Sequence, residues 1–227
     1  MSDETLVLGM DTCGTSGSVA LARLSGNGVQ VLGEATLEGR SYAATLVAAI
    51  SDLLETHTLT LREVGCLVVT SGPGSFTGVR VGLSAAKGLA EGAGLPIIAV
   101  SRLAVLGQKA GVADAALDAH RHEVFLRAGG RELLAGREEL AALEPAPRQI
   151  ALCDEAAAAL LAECCPGAEL VRVAPPTAAE AIAVTAQRIE AREFDSVLLL
   201  DGHYLRRSDA EIFGEPAASA SQRGDGS

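Results

Sequence analysis

The stretch Val69-Thr-Ser-Gly-Pro-Gly-Ser-Phe-Thr-Gly-Val-Arg-Val-Gly-Leu-Ser-Ala-Ala-Lys-Gly-Leu-Ala90 decides the architecture. It closes an apolar run, 64–70, of the kind that forms a buried strand. Gly72-Pro-Gly-Ser-Phe-Thr-Gly78 is a loop by composition. Residues 79–92 then carry helical spacing, with Gly78, Gly82, Ala86 and Ala90 at every fourth position. A glycine inside a helix costs about 1 kcal/mol relative to alanine. Close approach of another element is the usual compensation, so this helix is expected to lie hard against a neighbour.

The same alternation extends in both directions. Residues 95–100 form a further strand candidate. Residues 5–10 are apolar and end at Asp11, where 11–17 make a tight turn. A returning strand from Ser18 and a third over 29–37 flank Gly26-Asn27-Gly28, a hairpin signal. Between them and the glycine loop, 41–55 reads as a helix. Ala43, Leu46, Val47, Ile50, Leu53 and Leu54 fall on its i, i+3, i+4, i+7 positions, and Ala44, Ala48 and Ala49 widen the stripe. That is more apolar surface than one sheet face covers, so the helix is either a core helix or a partner face. Strands alternating with helices predict an α/β layer architecture.

Past Ser101 the pattern weakens. Strands are expected over 112–117, 123–128, 150–152 and 170–173, and a strand-like run over 197–200. Helices are expected over 155–164 and 177–191, the latter opened by Thr177 and Glu180 as a capping box. No internal sequence repeat is visible. The expected division is an N-terminal lobe over 1–102, a reduced C-terminal lobe over 103–212 and a disordered tail over 213–227.

Composition excludes several function classes. Of 227 residues, 18 are Lys or Arg and 29 are Asp or Glu, a net charge of −11, and the only lysines are Lys87 and Lys109. Binding nucleic acid alone calls for a basic patch, which this balance disfavours, and an anionic membrane is disfavoured likewise. No apolar run reaches about 18 residues, so no membrane span is expected. Cys13, Cys66, Cys153, Cys164 and Cys165 have neither metal-ligand nor disulfide-framework spacing. They read as reduced thiols of a cytoplasmic protein, packed as small hydrophobes.

Candidate chemistry is sparse. Gly72 and Gly74, with Ser75 or Thr77 as a helix cap, could hold an anion or simply make a packed turn. The loop lacks the G-K-[ST] ending of a P-loop, and its third glycine comes one residue late for G-x-G-x-x-G. Asp11 and Thr12, with Gly14 and Thr15, suit a phosphate and hydrated Mg²⁺, or an Asp capping its own turn. His57, His120, His122 and His203 contain no H-x-x-x-H pair, and no serine sits in G-x-S-x-G. Phe76 in a glycine loop and Tyr204 beside a charged run are unusual placements among only six aromatics.

The quoted stretch strongly resembles the signature of the TsaB (YeaZ) family. Three others agree in order: Leu8-Gly-Met-Asp-Thr-Cys-Gly-Thr-Ser-Gly-Ser-Val-Ala-Leu21, Asp118-Ala-His-Arg-His-Glu-Val-Phe125, and Tyr204-Leu-Arg-Arg207. The resemblance covers residues 6–211. It implies an actin-like, Hsp70-type ATPase (ASKHA) fold of two lobes with the second reduced. It also implies a part in making N6-threonylcarbamoyladenosine at position 37 of tRNAs that read codons beginning with A. The implied role is a non-catalytic scaffold for the catalytic paralogue TsaD, joined by the ATPase TsaE, with tRNA met only through the complex. Asp11, Thr12, Gly74 and Ser75 would be a degenerate nucleotide site, with ATP or ADP bound, if at all, at the level of the complex. The expected partner face, used for a homodimer alone and a heterodimer with TsaD, is Tyr42, Leu46, Ile50, Val79, Gly82, Leu83 and Ala86. The family often has His where this sequence has Tyr42, which weakens acid–base or metal chemistry there. The rival expectation is a nucleotide-binding or nucleotide-hydrolysing enzyme of the same fold group. A protease has no nucleophile or metal site to work with.

Overall fold

A computed structural model describes residues 4–38 and 41–205. The expectations for Arg206, Arg207 and the tail over 213–227 lie outside the described residues.

The first sheet begins as a meander. Strands β1 (Thr5–Asp11), β2 (Ser16–Ser25) and β3 (Gly28–Glu38) run antiparallel, with Asp11 opposite Ser18. Helix α1 (Tyr42–Thr56) crosses to β4 (Cys66–Thr70), which pairs parallel with β1, and α2 (Phe76–Ala93) crosses to β5 (Ile97–Val100). The order is β3-β2-β1-β4-β5. Helix α3 (Arg102–Ala110) leaves this sheet.

The second sheet repeats the plan. Strands β6 (Asp114–Asp118), β7 (Val124–Ala128) and β8 (Arg131–Ala135) form a meander. They are followed by α4 (Arg137–Ala141), β9 (Gln149–Leu152), α5 (Glu155–Cys164) and β10 (Glu169–Arg172). The order is β10-β9-β6-β7-β8, and α6 (Ala178–Glu190) leaves it. The chain is therefore one βββαβαβα topology used twice, a repeat that its sequence does not display.

Burial explains the apolar runs. Leu8 and Met10 of β1 point towards α1 and α2, while Val7 points to the opposite face, onto α6. A strand covered on both faces needs apolar residues throughout, which is why 6–10 shows no alternation. Helices α4 and α5 cover one face of the second sheet through Leu140, Leu160 and Leu161. Its other face meets Leu103 and Leu106 of α3, while Val105 of the same helix joins the α6 side of the first sheet.

Several expectations need correction. A cut at residue 102 assigns α6 to the second lobe and α3 to the start of it by sequence alone. In space α6 covers the first sheet, because Ala178, Ala181, Ile182 and Ile189 are the apolar complement of Val7, Ala20 and Val68. Residues 197–200 are not a strand. The amides of Leu199 and Leu200 donate to the Ser196 carbonyl, which makes a turn that buries Leu200 and exposes Leu198 and Leu199. Helix α2 starts at Phe76, three residues early, since Ser75 caps it by accepting from the Gly78 amide.

The partner-face residues also stand corrected. Tyr42, Leu46, Ile50, Val79, Leu83 and Ala86 are at most 5% exposed, and Gly82 is buried as well. They are the inward faces of α1 and α2 and hold the first core together. The periodicity marked a buried stripe, and the sheet of the same chain covers it. The sides of these helices that meet solvent carry other residues: Ala44, Val47 and Ala48 on α1, Ser84, Gly88 and Gly92 on α2.

Candidate functional site

The turn after β1 and the glycine loop after β4 lie side by side, because β1 and β4 are parallel neighbours. The contact between them is intimate. The Ser75 amide donates to the Cys13 carbonyl at 2.8 Å, and the Thr12 hydroxyl donates to the Gly78 carbonyl at 2.7 Å. A Cβ on Gly74 would overlap the Cys13 carbonyl oxygen, and one on Gly78 would overlap that of Thr12. The first two of the every-fourth small residues of α2 are thus explained: Gly78 lets the helix rest on the Thr12 backbone and Gly82 on the Thr12 side chain. Thr70 fixes the strand ends, its hydroxyl donating to the Met10 carbonyl and its carbonyl accepting from the Cys13 thiol.

Asp11 faces inward and is 1% exposed. Its Oδ1 accepts the Cys13 amide at 2.8 Å, so it does cap its own turn. Its Oδ2 accepts from Nε of Arg102 at 3.2 Å. Arg102 is the first residue of α3, 7% exposed, and its own amide donates to the Gly72 carbonyl. Sequence reasoning missed this arginine. The available signal was a charge on the apolar side of Leu103-Ala-Val-Leu106, immediately after the capping Ser101.

The electrostatics follow from burial around this pair. Burial works against the Arg102 charge, but the Asp11 carboxylate beside it keeps the guanidinium raised above its ordinary value. Burial, then the Asp11 charge, pushes the Cys13 thiol well above the usual range and Tyr42 up to about 12. A thiol so raised is a poor nucleophile. The Tyr42 hydroxyl donates to the Gly14 carbonyl at 3.0 Å, which pins the turn to α1.

Of the four residues read as a nucleotide site, the structure brings all four together but gives each an internal task. Asp11 meets Arg102, Thr12 meets Gly78, Gly74 allows close packing and Ser75 caps α2. A guanidinium occupies the place beside Asp11 where a cation would be expected. His120 pairs with Asp118 in the β6–β7 turn, exposed and far along the chain from this site. Among the described residues no group of three His, Cys, Asp or Glu side chains could hold a metal ion. No helix among them is long and apolar enough to cross a membrane.

Two βββαβαβα units facing each other, with the first turn of the first unit set against a glycine loop, define an actin-like (ASKHA) α/β protein. A family model described as TsaD: tRNA N6-adenosine threonylcarbamoyltransferase matches residues 34–159. That model covers more than half of the chain, which therefore belongs to this TsaD-type family, and the relatives and solved structures support a TsaB/YeaZ assignment within it. It is 35% identical over 148 residues to the tRNA threonylcarbamoyladenosine biosynthesis protein TsaB of Escherichia coli K12, covering 61% of this chain and 62% of that one. The TsaB of Haemophilus influenzae is 39% identical over 102 residues, 42% and 43% of the two chains. The matched chain thus spans about three fifths and two fifths of these relatives. The solved structure of YeaZ from Pseudomonas aeruginosa superposes with a TM-score of 0.68 at 26% identity, over 88% of this chain and all of that one. A second Pseudomonas aeruginosa structure, of an uncharacterized protein with similarity to peptidase YEAZ, gives 0.71 at 26% over 89% and 100%.

Proposed function

We propose that this chain is a scaffold subunit of the cytoplasmic assembly that makes N6-threonylcarbamoyladenosine in tRNA. It supports the threonylcarbamoyltransferase TsaD and has no complete active site of its own; TsaE and tRNA join at the level of the complex. The similarity to TsaB proteins motivates the pathway. The observation that carries the scaffold role is the closed turn at Asp11, where both carboxylate oxygens are spent on Cys13 and Arg102. The rival enzyme reading needs Asp11 turned towards a phosphate.

The docking face is the solvent side of α1 and α2. Val47 is 60% exposed, and alanines flank it. Gly88 and Gly92 of α2 have open space where a Cβ would stand, and they line a groove of about 610 Å³ with Leu61, Arg62, Leu89 and Ala93. Among the described residues nothing compensates these two helix glycines, whereas Gly78 is compensated by the turn it touches. A partner helix resting on them supplies the missing contact.

Light-scattering mass tests this, first on the protein alone and then mixed with the transferase from the same organism. The expected result is a homodimer that converts to a mixed complex. Val47→Glu, on the exposed side, should keep the melting curve and lose both associations; a mixed complex of unchanged mass and stability would overturn the assignment. Leu46 and Ile50 are unsuitable test positions, since a charge at either would enter the core.

A further inference from the structure

We propose that residues 200–205 form a clasp that holds the two sheets together, with Glu132 of β8 as its catch. The segment starts in the first core, where Leu200 is buried beside the α1 and α2 side chains. It ends on the other unit, where Leu205, like Leu134 and Cys153, packs against the buried cluster of Leu103, Leu106, Leu117 and Phe125 on the α3 face of the second sheet. Between these anchors, the His203 amide donates to the Ser71 carbonyl at 2.8 Å, at the entry of the glycine loop. The Tyr204 ring lies 5.2 Å from that of Phe76 at the start of α2.

The catch is a single carboxylate. Glu132 is buried, with 8% of its side chain exposed. It accepts from the Ser101 hydroxyl at 2.7 Å and from Nη1 of Arg127 at 2.9 Å. Nε2 of His203 lies 2.8 Å from its Oε2, a close contact set off the line of a good hydrogen bond. Ser101 caps α3, Arg127 belongs to β7 and His203 to the clasp, so one carboxylate ties three elements. A buried carboxylate is costly once its partners are removed, so the catch couples the clasp to α3 and β7. Glu132 itself lies on β8, an edge strand of the second sheet. Opening the clasp lets the sheets part about α3 and uncovers the Asp11–Arg102 contact.

Hydrogen–deuterium exchange on the full chain at neutral pH tests the clasp, comparing wild type with Glu132→Gln. Amides of 71–76 and 101–106 should exchange about tenfold faster, as sub-global opening predicts, and Cys153 should react faster with a maleimide. Amides of α1 should not change. Acceleration confined to 200–205, or none, would overturn the proposal. Should Glu132→Gln loosen α1 equally, His203→Gln, on a side chain 40% exposed, is judged by the same pattern. Association with the transferase, read separately by light scattering, tells a failed clasp from a failed scaffold role.

Discussion

One helix offers a paired experiment in which the same substitution has opposite signs. Gly78 and Gly88 both lie in α2. Replacing either by alanine removes the conformational penalty of glycine, worth up to about 1 kcal/mol. At Gly88 nothing stands within 4 Å of the new Cβ, so the gain is kept. The isolated protein should be stabilised by about 0.5–1 kcal/mol. At Gly78 the new Cβ falls closer than 3.0 Å to the Thr12 carbonyl oxygen. That atom is backbone, fixed by β1 and by the turn, and cannot rotate away. The helix must lift, which loosens the Thr12–Gly78 and Ser75–Cys13 hydrogen bonds. Overpacking of this kind costs about 1–3 kcal/mol, and each loosened buried bond about 1 kcal/mol more. The net expectation is destabilisation of about 2–4 kcal/mol, a melting temperature lower by roughly 4–16 °C for a chain of this size. Thermal and urea unfolding of the two variants measure both signs. Equal stability of the two, or a destabilised Gly88→Ala, would refute the account of why α2 carries its small residues. Gly88→Ala should also weaken association with the transferase while raising stability, a split that no folding defect produces.

Two further predictions follow from the charges. Arg102→Met should strand the buried Asp11 carboxylate and cost about 3–5 kcal/mol, and adding Asp11→Asn should restore much of it; a double-mutant cycle by urea unfolding measures the coupling, and additive losses would show that the pair is not an energetic unit. For Glu132, burial raises the carboxyl, but the close His203 ring and the hydrogen bonds from Ser101 and Arg127 outweigh it, leaving it below the ordinary glutamate range. Its contribution to stability is therefore present above the unfolded glutamate value of about 4.3 and lost as pH falls through the lower folded value. Glu132→Gln should flatten the acid limb of stability against pH below about 4.5, and a limb of unchanged slope would place the titrating group elsewhere.

Much of the first sheet was legible because local signals agreed with the final packing. The run at 5–10, the hairpin turn at Gly28 and the strand before the glycine loop each appear close to their expected bounds. The capping box at Thr177 and the helix over 155–164 were equally direct, since side chain-to-backbone caps are written in adjacent residues. What failed was whatever depends on a partner distant in the chain. The stripe of Leu46 and Ile50 looks the same whether a foreign helix or its own sheet covers it. Asp11 and Thr12 were identified as a special turn, but their partners, Arg102 and Gly78, lie 91 and 66 residues away. Helix α3 went unread because it serves two sheets at once, Val105 towards one and Leu103 and Leu106 towards the other, which blurs a single apolar face. The topological repeat was invisible because strand order, not residue identity, is what the two halves share.

The exchange of terminal helices has a consequence for how the chain is made. On the ribosome, all five strands of the leading sheet are complete by Val100, yet the surface bearing Val7, Ala20 and Val68 is met only by Val105 of α3 until α6 emerges, some 80 residues later. At synthesis rates of about 5–20 residues per second, that apolar surface waits several seconds for its cover. A chain truncated before Ala178 would keep it uncovered permanently and be drawn to chaperones or to its own copies, although every strand of both sheets would already be present.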